Sequence, residues 1–212
     1  MISLDQARAH YADHDSAHGF EHVLRVWRLA MRIAREEGAD LQVVNDAALL
    51  HDAGRAQQLA TGQDHAAISA DLAHSLLSTA TPMHREAVCR AIREHRFRSD
   101  RRPTTLESQV LFDADKLDAI GAVGVARAYA VAGAMHQQLW AEVANNLSER
   151  LPVDGADDLT NDTHTPLHEF RFKLQRLREL VVTPTARQLA EERHVFMCAY
   201  FERLEREVKG DL

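Results

Sequence analysis

The sequence predicts an all-α protein, and three observations support this fold class. Apolar residues recur at helical spacing over several long segments, and residues that typically start or stop helices bound those segments. Nowhere does a run of β-branched and aromatic residues alternate with polar ones over five or more positions. We therefore expect one compact bundle of helices over residues 1–212.

The most regular pattern predicts a helix over residues 19–38. Val23, Val26 and Ile33 fall on one face of that helix, and Gly38 is typical of a helix C-terminus. Similar patterns predict helices at 41–53, 65–78, 84–96, 106–136 and 166–180. A last helix is predicted over 184–208, because Thr183 is a favourable N-cap and Pro184 is tolerated at the first helical position.

Residues 145–165 are acidic, contain proline and glycine, and show the weakest periodicity in the chain. They predict a long surface loop. Such loops often serve as lids, so this one is a candidate cover for a binding site.

The composition limits the partners of the protein. The chain has 212 residues, 45% of them hydrophobic and 27% charged, and its net charge is −7 with histidine neutral. A net acidic chain does not attract long nucleic acid or an anionic membrane surface. Two cysteines without metal-binding spacing, no apolar run of 18 residues and no signal-like N-terminus predict a cytoplasmic location without a membrane partner.

The 13 histidines are the most informative part of the composition, because histidine is the commonest metal ligand and a frequent proton carrier. Asp15, His18 and His22 open the first long helix, where the two histidines share one face. They can approach one metal ion. The same spacing equally fits two histidines on a polar helix face.

A second candidate lies where an apolar run over 47–50 ends in His51 and Asp52, followed by Gly54 and Arg55. Burial of that run carries the polar pair into the interior, where both side chains need partners. A metal ion suits an imidazole and a carboxylate, whereas the alternative is a solvated helix end.

A third candidate is the segment 112–120, in which Asp113, Asp115, Lys116 and Asp118 interrupt an apolar helix. A charge cluster at a helix N-terminus explains Asp113 better than Asp115, which stands close to apolar positions. At least one carboxylate is therefore expected to point inward.

Together, His22, His51, Asp52 and Asp115 offer two imidazoles and two carboxylates. This donor set suits Mn, Fe, Co, Ni or Zn and leaves coordination positions for water. A divalent ion lowers the pKa of bound water and polarises a phosphoryl oxygen, so metal-assisted hydrolysis of a phosphate ester or anhydride is the leading reaction class.

These residues resemble the H…HD…D signature of the HD-domain metal-dependent phosphohydrolases, and in particular the small stand-alone bacterial members related to nucleotide pyrophosphohydrolases. The resemblance extends to Asp-x-x-His-Gly-x-x-His-Val-x-Arg-Val at 15–26, to the segment 113–127 and to Phe-x-x-Lys-Leu at 170–174. It implies one domain over 1–212, with a metal core at about 15–130 and C-terminal helices at 166–209 packing on it. It also implies Asp115 as the fourth ligand, with Asp118 supporting the ligands.

The resemblance suggests further site residues around the ligands. Lys116 and Arg55 are candidates to hold phosphate oxygens, although either can equally be a solvated surface charge. Many relatives have lysine where Arg55 stands. His65 and His95 are candidates for phosphate contact or proton transfer, and an exposed helix end explains them equally well. His18 is expected to orient a ligand or touch substrate, while Asp52, His95 and Lys116 are the expected catalytic residues.

The expected function is therefore hydrolysis of a small phosphorylated metabolite, most plausibly a nucleotide, with one divalent ion of Mn, Co, Ni, Fe, Mg or Zn. Manganese is the favoured ion. A 5′-nucleotidase or other phosphomonoesterase is the alternative within the enzyme class. From another class, the same pocket suits a non-catalytic nucleotide or metal sensor.

Overall fold

A computed structural model describes residues 1–11, 19–96, 102–143 and 164–212. These residues form helices and contain no strand, which confirms the all-α prediction. The α-helices are α1 (Leu4–Arg8), α2 (Phe20–Glu37), α3 (Leu41–Leu50), α4 (Arg55–Thr61), α5 (His65–Leu76), α6 (Pro82–Glu94), α7 (Leu106–Asp118), α8 (Gly121–Ala134), α9 (Pro166–Phe172) and α10 (Pro184–Lys209). A 3₁₀-helix (Leu174–Glu179) follows α9.

The chain groups into two compact units. The first comprises Met1–Asp115 and Val182–Ala186, and the second comprises Lys116–Val181 and Arg187–Leu212. Within the first unit α3 packs against α2, α5 and α6, while α8 and α9 pack together in the second. The single domain expected from the sequence stays a prediction.

Helix α3 lies at the centre of the first unit, and every residue from Val43 to Leu50 is buried. The carboxylate of Asp40 caps its N-terminus by accepting hydrogen bonds from the backbone of the first turn. The helix ends three residues before the predicted 53. Its end coincides with a hydrogen bond between the ring of His51 and the carbonyl of Ala48, an oxygen that a continuing helix would use.

Capping residues set several helix ends close to their predicted positions. Gly38 ends α2 with a φ of 77°, a left-handed conformation that glycine adopts without strain. Helix α6 begins two residues before the predicted 84, because Thr81 caps it and Pro82 takes the first position. Helix α10 begins as predicted, and the Thr183 hydroxyl accepts from the backbone N–H of Ala186.

The single helix predicted over 106–136 is wrong, because α7 and α8 are separate helices. The break falls at Ala119 and Ile120, and Gly121 has a φ of 80°. A Cβ atom at Gly121 would lie 2.8 Å from the Cγ of Arg193, so this position needs glycine for space as well as conformation. Apolar periodicity continues across the break and hides it from the sequence.

The helix predicted over 166–180 is only partly α-helical, since α9 ends at Phe172 and the 3₁₀-helix follows. The loop predicted over 145–165 lies almost wholly outside the described residues. Thr165 at its end is buried and caps α9. The short helices α1 and α4 were not predicted, because five and seven residues are too few to show a clear period.

No single helix in the described ranges is long and apolar enough to cross a membrane. By length and composition alone, α7 and α8 together resemble a broken span, a property that buried core helices share.

The N-terminal segment is tied to the centre of the first unit by a buried carboxylate. Asp46 on α3 accepts the backbone N–H of Ile2 at 2.7 Å, and Asn45 donates to the carbonyl of Ile2 at 3.1 Å. The Nε2 atom of His84 on α6 lies 2.9 Å from the other oxygen of Asp46. Asp46 is therefore a structural carboxylate that joins three segments.

Asp113 has a similar structural role on α7. Its carboxylate accepts the backbone N–H of Val182 at 2.8 Å, and both the backbone N–H and the hydroxyl of Thr183 at 2.7 Å. These bonds fix the segment that precedes α10, whereas the sequence left open which carboxylate of this region would point inward.

We expect Asp113→Ala to destabilise the protein strongly, because it leaves two backbone N–H groups without an acceptor. Unpaired buried donors of this kind cost roughly 3 kcal/mol or more in total. For a chain of this size the midpoint of thermal unfolding should fall by roughly 6–12 °C. Calorimetry checks this, with Asp71→Ala as the matched control, because Asp71 is 78% exposed and pairs with the exposed Arg93. Equal unfolding temperatures for the two variants would contradict the prediction.

Candidate metal centre

The four side chains predicted as metal ligands converge in the first unit. The Nε2 atoms of His22 and His51 lie 3.4 Å apart. Oδ2 of Asp52 is 3.7 Å from Nε2 of His22 and 3.8 Å from Nε2 of His51. Oδ1 of Asp115 lies 3.5 Å from Nε2 of His22 and adds a fourth donor atom.

The helices explain why these polar side chains are buried. His22 lies in the first turn of α2, beside the buried Val23, so the apolar face of that helix carries the imidazole inward. His51 and Asp52 directly follow the buried helix α3 and are 0% and 1% exposed. Asp115 lies at the edge, 20% exposed, where a bound ion would remain accessible to a ligand.

A second pair of imidazoles lies against the other oxygen of Asp52. Nε2 of His65, at the start of α5, is 3.0 Å from Oδ1, and Nε2 of His95, after α6, is 3.6 Å from it. Both histidines are buried. The structure therefore brings together all four of these histidines with Asp52 between them, and neither His65 nor His95 is the exposed helix end that the sequence left open.

The protein orients three of these rings by holding their Nδ1 atoms. Nδ1 of His51 donates to the carbonyl of Ala48 at 2.8 Å, and Nδ1 of His95 donates to the carbonyl of Ile92. Nδ1 of His65 donates to the side-chain oxygen of Gln58 on α4. With the Nδ1 proton held in this way, each neutral ring presents the Nε2 lone pair to the centre, as metal-binding histidines usually do.

Gln58 is a site residue that the sequence did not indicate. It belongs to the unpredicted helix α4, and a glutamine without a motif gives no signal. The sequence also gives no sign that Asp64 and Arg96, the chain neighbours of His65 and His95, form an ion pair. This contact links the start of α5 to the end of α6 beside the two rings.

Burial shifts the pKa values of His51 and His65, and the surrounding charges shift that of Asp52. Burial lowers the pKa of His51 to about 4, even though the Asp52 carboxylate acts in the opposite direction. Burial also lowers the pKa of His65. Burial alone would raise the pKa of Asp52, but the surrounding imidazoles and the Arg55 guanidinium outweigh it and hold that pKa well below its usual range.

These donors fit a divalent cation. Oδ1 of Asp52 and Nε2 of His65 are buried without a hydrogen-bond partner among the described residues, although the two atoms lie only 3.0 Å apart. Two lone pairs facing each other at that distance are unfavourable unless a cation lies between or beside them. Two sets of donors have metal-binding spacing, His22 with His51 and Asp52, and His65 with His95 and Asp52. An ion would neutralise the buried carboxylate.

The remaining predicted residues lie as follows. Arg55, at the start of α4, donates from Nε to Oδ2 of Asp52 at 3.1 Å and is 38% exposed. Lys116 follows Asp115 on α7 and is partly exposed. Asp118 is buried and pairs with Arg127 at 2.8 Å. His18 lies outside the described residues.

Comparison with known proteins gives the same family as the geometry. The pattern of the HD domain matches residues 19–120. Over 202 residues the chain is 33% identical to YpgQ, an uncharacterised protein of Bacillus subtilis strain 168, and the match covers 93% of this chain and 88% of YpgQ.

Solved structures extend the similarity over the whole chain. The crystal structure of YpgQ in complex with ADP has a TM-score of 0.72 at 32% identity, covering 98% of this chain and 99% of YpgQ. A predicted HD superfamily hydrolase from an uncultured Thermotogales bacterium has a TM-score of 0.67 at 32% identity, covering 96% and 90%. A protein from Lactobacillus plantarum has a TM-score of 0.75 at 28% identity, covering 99% and 100%.

A helical fold with a buried His–Asp centre defines a metal-dependent phosphohydrolase of the HD superfamily, and the resemblance found in the sequence is confirmed. The chain belongs to the HD-domain family.

We expect the purified protein to bind a divalent ion. His51→Ala should bind far less of it, because the variant loses a buried donor atom that lies close to the donor atoms of His22 and Asp52. Metal analysis after dialysis and calorimetric titration with Mn²⁺ measure this. His74→Ala is the matched control, since His74 lies exposed on α5. Unchanged metal content in His51→Ala would show that the ion binds elsewhere.

Proposed function

We propose that this hydrolase cleaves a phosphoester or phosphoanhydride bond of a small nucleotide. The observation that carries the proposal is the buried Asp52 carboxylate, which faces imidazole nitrogens on both oxygens and has an oxygen without a hydrogen bond among the described residues. Support for a nucleotide comes from YpgQ, which was crystallised in complex with ADP.

The proposed ligands of the ion are His22, His51, Asp52 and Asp115. A divalent ion held by them would lower the pKa of water and polarise a phosphoryl oxygen. Imidazole and carboxylate donors together suit a borderline ion, and manganese is the ion that we favour. The neutral state of His51 keeps its Nε2 lone pair available for coordination.

The other pair of histidines is proposed to act on the substrate. His65 and His95 have their Nδ1 atoms held by Gln58 and by a backbone carbonyl, so Nε2 is the nitrogen left to exchange a proton or meet a phosphate group. We propose His65 for substrate contact and His95 for proton transfer. One ion per chain in metal analysis would support this division, because two ions would occupy both histidine pairs.

Arg55 is proposed to bind the phosphate of the substrate. Its guanidinium has five N–H donors, and the Nε donor is directed to Asp52. Because the side chain is 38% exposed, the rest of the guanidinium can meet a ligand at the edge of the site. Lys116 and His18 stay proposed substrate-binding residues, and Lys116 is also a proposed catalytic cation.

We also place the protein in the cytoplasm. Both cysteines, the buried Cys89 and the partly exposed Cys198, are free thiols, which is usual in a reducing compartment.

The proposed function predicts that the wild-type protein releases phosphate or pyrophosphate from at least one ribo- or deoxyribonucleotide in the presence of Mn²⁺, Co²⁺, Ni²⁺, Mg²⁺ or Zn²⁺. Asp52→Ala should lose this activity, because it removes the carboxylate shared by all the imidazoles. Separate assays for phosphate and pyrophosphate identify the bond that is cleaved. His74→Ala, which changes an exposed histidine on α5, is the control variant and should keep the wild-type activity.

The products distinguish the alternatives. Pyrophosphate with a nucleoside monophosphate indicates a nucleotide pyrophosphohydrolase, whereas phosphate from a monophosphate indicates a 5′-nucleotidase. Nucleotide binding without turnover under any of the five ions would contradict catalysis and favour a sensor. Activity retained in Asp52→Ala would contradict the proposed mechanism.

We further expect Arg55→Ala to raise the KM of the active nucleotide by roughly tenfold, the loss of one charge-assisted hydrogen bond of about 1.5 kcal/mol. Arg55→Lys should recover part of this loss, because it keeps the charge but not the planar guanidinium. Steady-state kinetics measure both, with Arg93→Ala as the control for an exposed arginine in an ion pair. An unchanged KM in Arg55→Ala would exclude Arg55 from substrate binding.

A further inference from the structure

Tyr11 lies outside the residues that match the HD-domain pattern, yet it contacts the backbone of the metal centre. Its hydroxyl donates to the carbonyl of Leu49 at 2.9 Å, two residues before His51. The phenol therefore bonds to the end of α3, immediately before the His51–Asp52 pair.

This bond replaces a contact that α3 loses where it ends. The last carbonyls of a helix have no partner within the helix. At the end of α3 the His51 ring takes the carbonyl of Ala48, and Tyr11 takes the next one, that of Leu49. Because a buried carbonyl without a partner is costly, the Tyr11 hydroxyl favours the conformation of the helix end that keeps the Leu49 carbonyl bonded.

The ring of Tyr11 also reaches the helix that carries the other histidine ligand. Its centroid lies 5.6 Å from that of Phe20, in a tilted arrangement. Phe20 is the first residue of α2 and lies two residues before His22. Tyr11 thus contacts the start of α2 with its ring and the end of α3, just before His51 and Asp52, with its hydroxyl.

The N-terminal segment holds Tyr11 at this place. Ile2 is bonded to Asp46 and Asn45 on α3, and Ala7 on α1 is fully buried. The backbone N–H of Tyr11 then donates to the carbonyl of Arg8 at 3.1 Å. The segment before Tyr11 is therefore anchored to the same helix, α3, whose end the tyrosine contacts.

We propose that Tyr11 is a positioning residue that sets the distance between the His22 imidazole and the His51–Asp52 pair, so that residues 1–11 belong to the metal centre. This inference rests on the proposed ligands His22, His51 and Asp52, but it does not depend on the substrate. If it is correct, the N-terminal segment, which lies outside the residues that match the HD domain, contributes to metal affinity.

The test compares the Mn²⁺ affinity of the folded apo-protein in the wild type and in Tyr11→Phe, by calorimetric titration well below the unfolding temperature. The variant keeps the ring on Phe20 and loses only the hydroxyl. Loss of groups that orient metal ligands typically weakens metal binding by about 10–100-fold, and we expect a change in this range. Tyr200→Phe is the control, because Tyr200 packs on Tyr129 and Phe201 in the second unit.

A merely structural role would lower the unfolding temperature of the apo-protein and leave the Mn²⁺ affinity of the folded protein within twofold of the wild type. That result would overturn the proposal. Phe20→Leu is a second variant, which keeps the hydroxyl, removes the ring contact and should weaken Mn²⁺ binding less than Tyr11→Phe. Equal affinities in all four proteins would also overturn it.

The titration separates this inference from the proposed function. If the wild type binds Mn²⁺ but hydrolyses no nucleotide, the proposed function fails, and the affinity of Tyr11→Phe still decides the role of Tyr11. If the wild type binds no divalent ion, the proposed ligands and the role of Tyr11 fail together.

Discussion

The rest of the site depends on the burial of one carboxylate, that of Asp52. Removing an ionised carboxylate from water is costly unless charges and hydrogen-bond donors replace the lost hydration. Asp52 is 1% exposed, and the groups around it are four imidazoles and the Arg55 guanidinium. Since Nδ1 of three of these rings already donates to the protein, each ring in its neutral form presents the Nε2 lone pair to the carboxylate. A cation resolves this conflict for all of the donors at once.

Other buried carboxylates of this chain show what a purely structural arrangement looks like. Asp46 lies on α3, the helix that ends directly before His51 and Asp52. Its carboxylate is bonded to the backbone of Ile2, to Asn45 and to His84. Asp113 accepts three hydrogen bonds from one segment. Only at Asp52 does a buried carboxylate oxygen lack such a donor within the described ranges. The contrast between satisfied and unsatisfied carboxylates distinguishes the proposed functional aspartate, Asp52, from Asp46 and Asp113 without reference to any family.

The sequence predicted the helices and the proposed ligands to different extents. Caps such as Thr183 act locally, so the start of α10 could be located. At the break before Gly121, by contrast, the contacts come from Arg193, far away in the chain, which donates to the carbonyl of Leu117 and leaves no room for a Cβ at Gly121. His22 and the His51–Asp52 pair were recognisable by spacing and by an apolar run that ends in polar residues. The contribution of Tyr11 was not, because a hydrogen bond to a backbone carbonyl 38 residues away leaves no pattern in the sequence.

The charges of the proposed metal centre would allow an acidic protein to accept an anionic substrate. The chain carries a net charge of −7, which disfavours the approach of a nucleotide. The Asp52 and Asp115 carboxylates would together offset the two positive charges of a divalent ion, and the neutral imidazole of His51 would add none. With Arg55 beside it, the occupied centre would be locally positive at an exposed edge. An acidic side chain in place of Arg55 would reverse that sign, so the proposed role of Arg55 toward an anionic substrate depends on its positive charge.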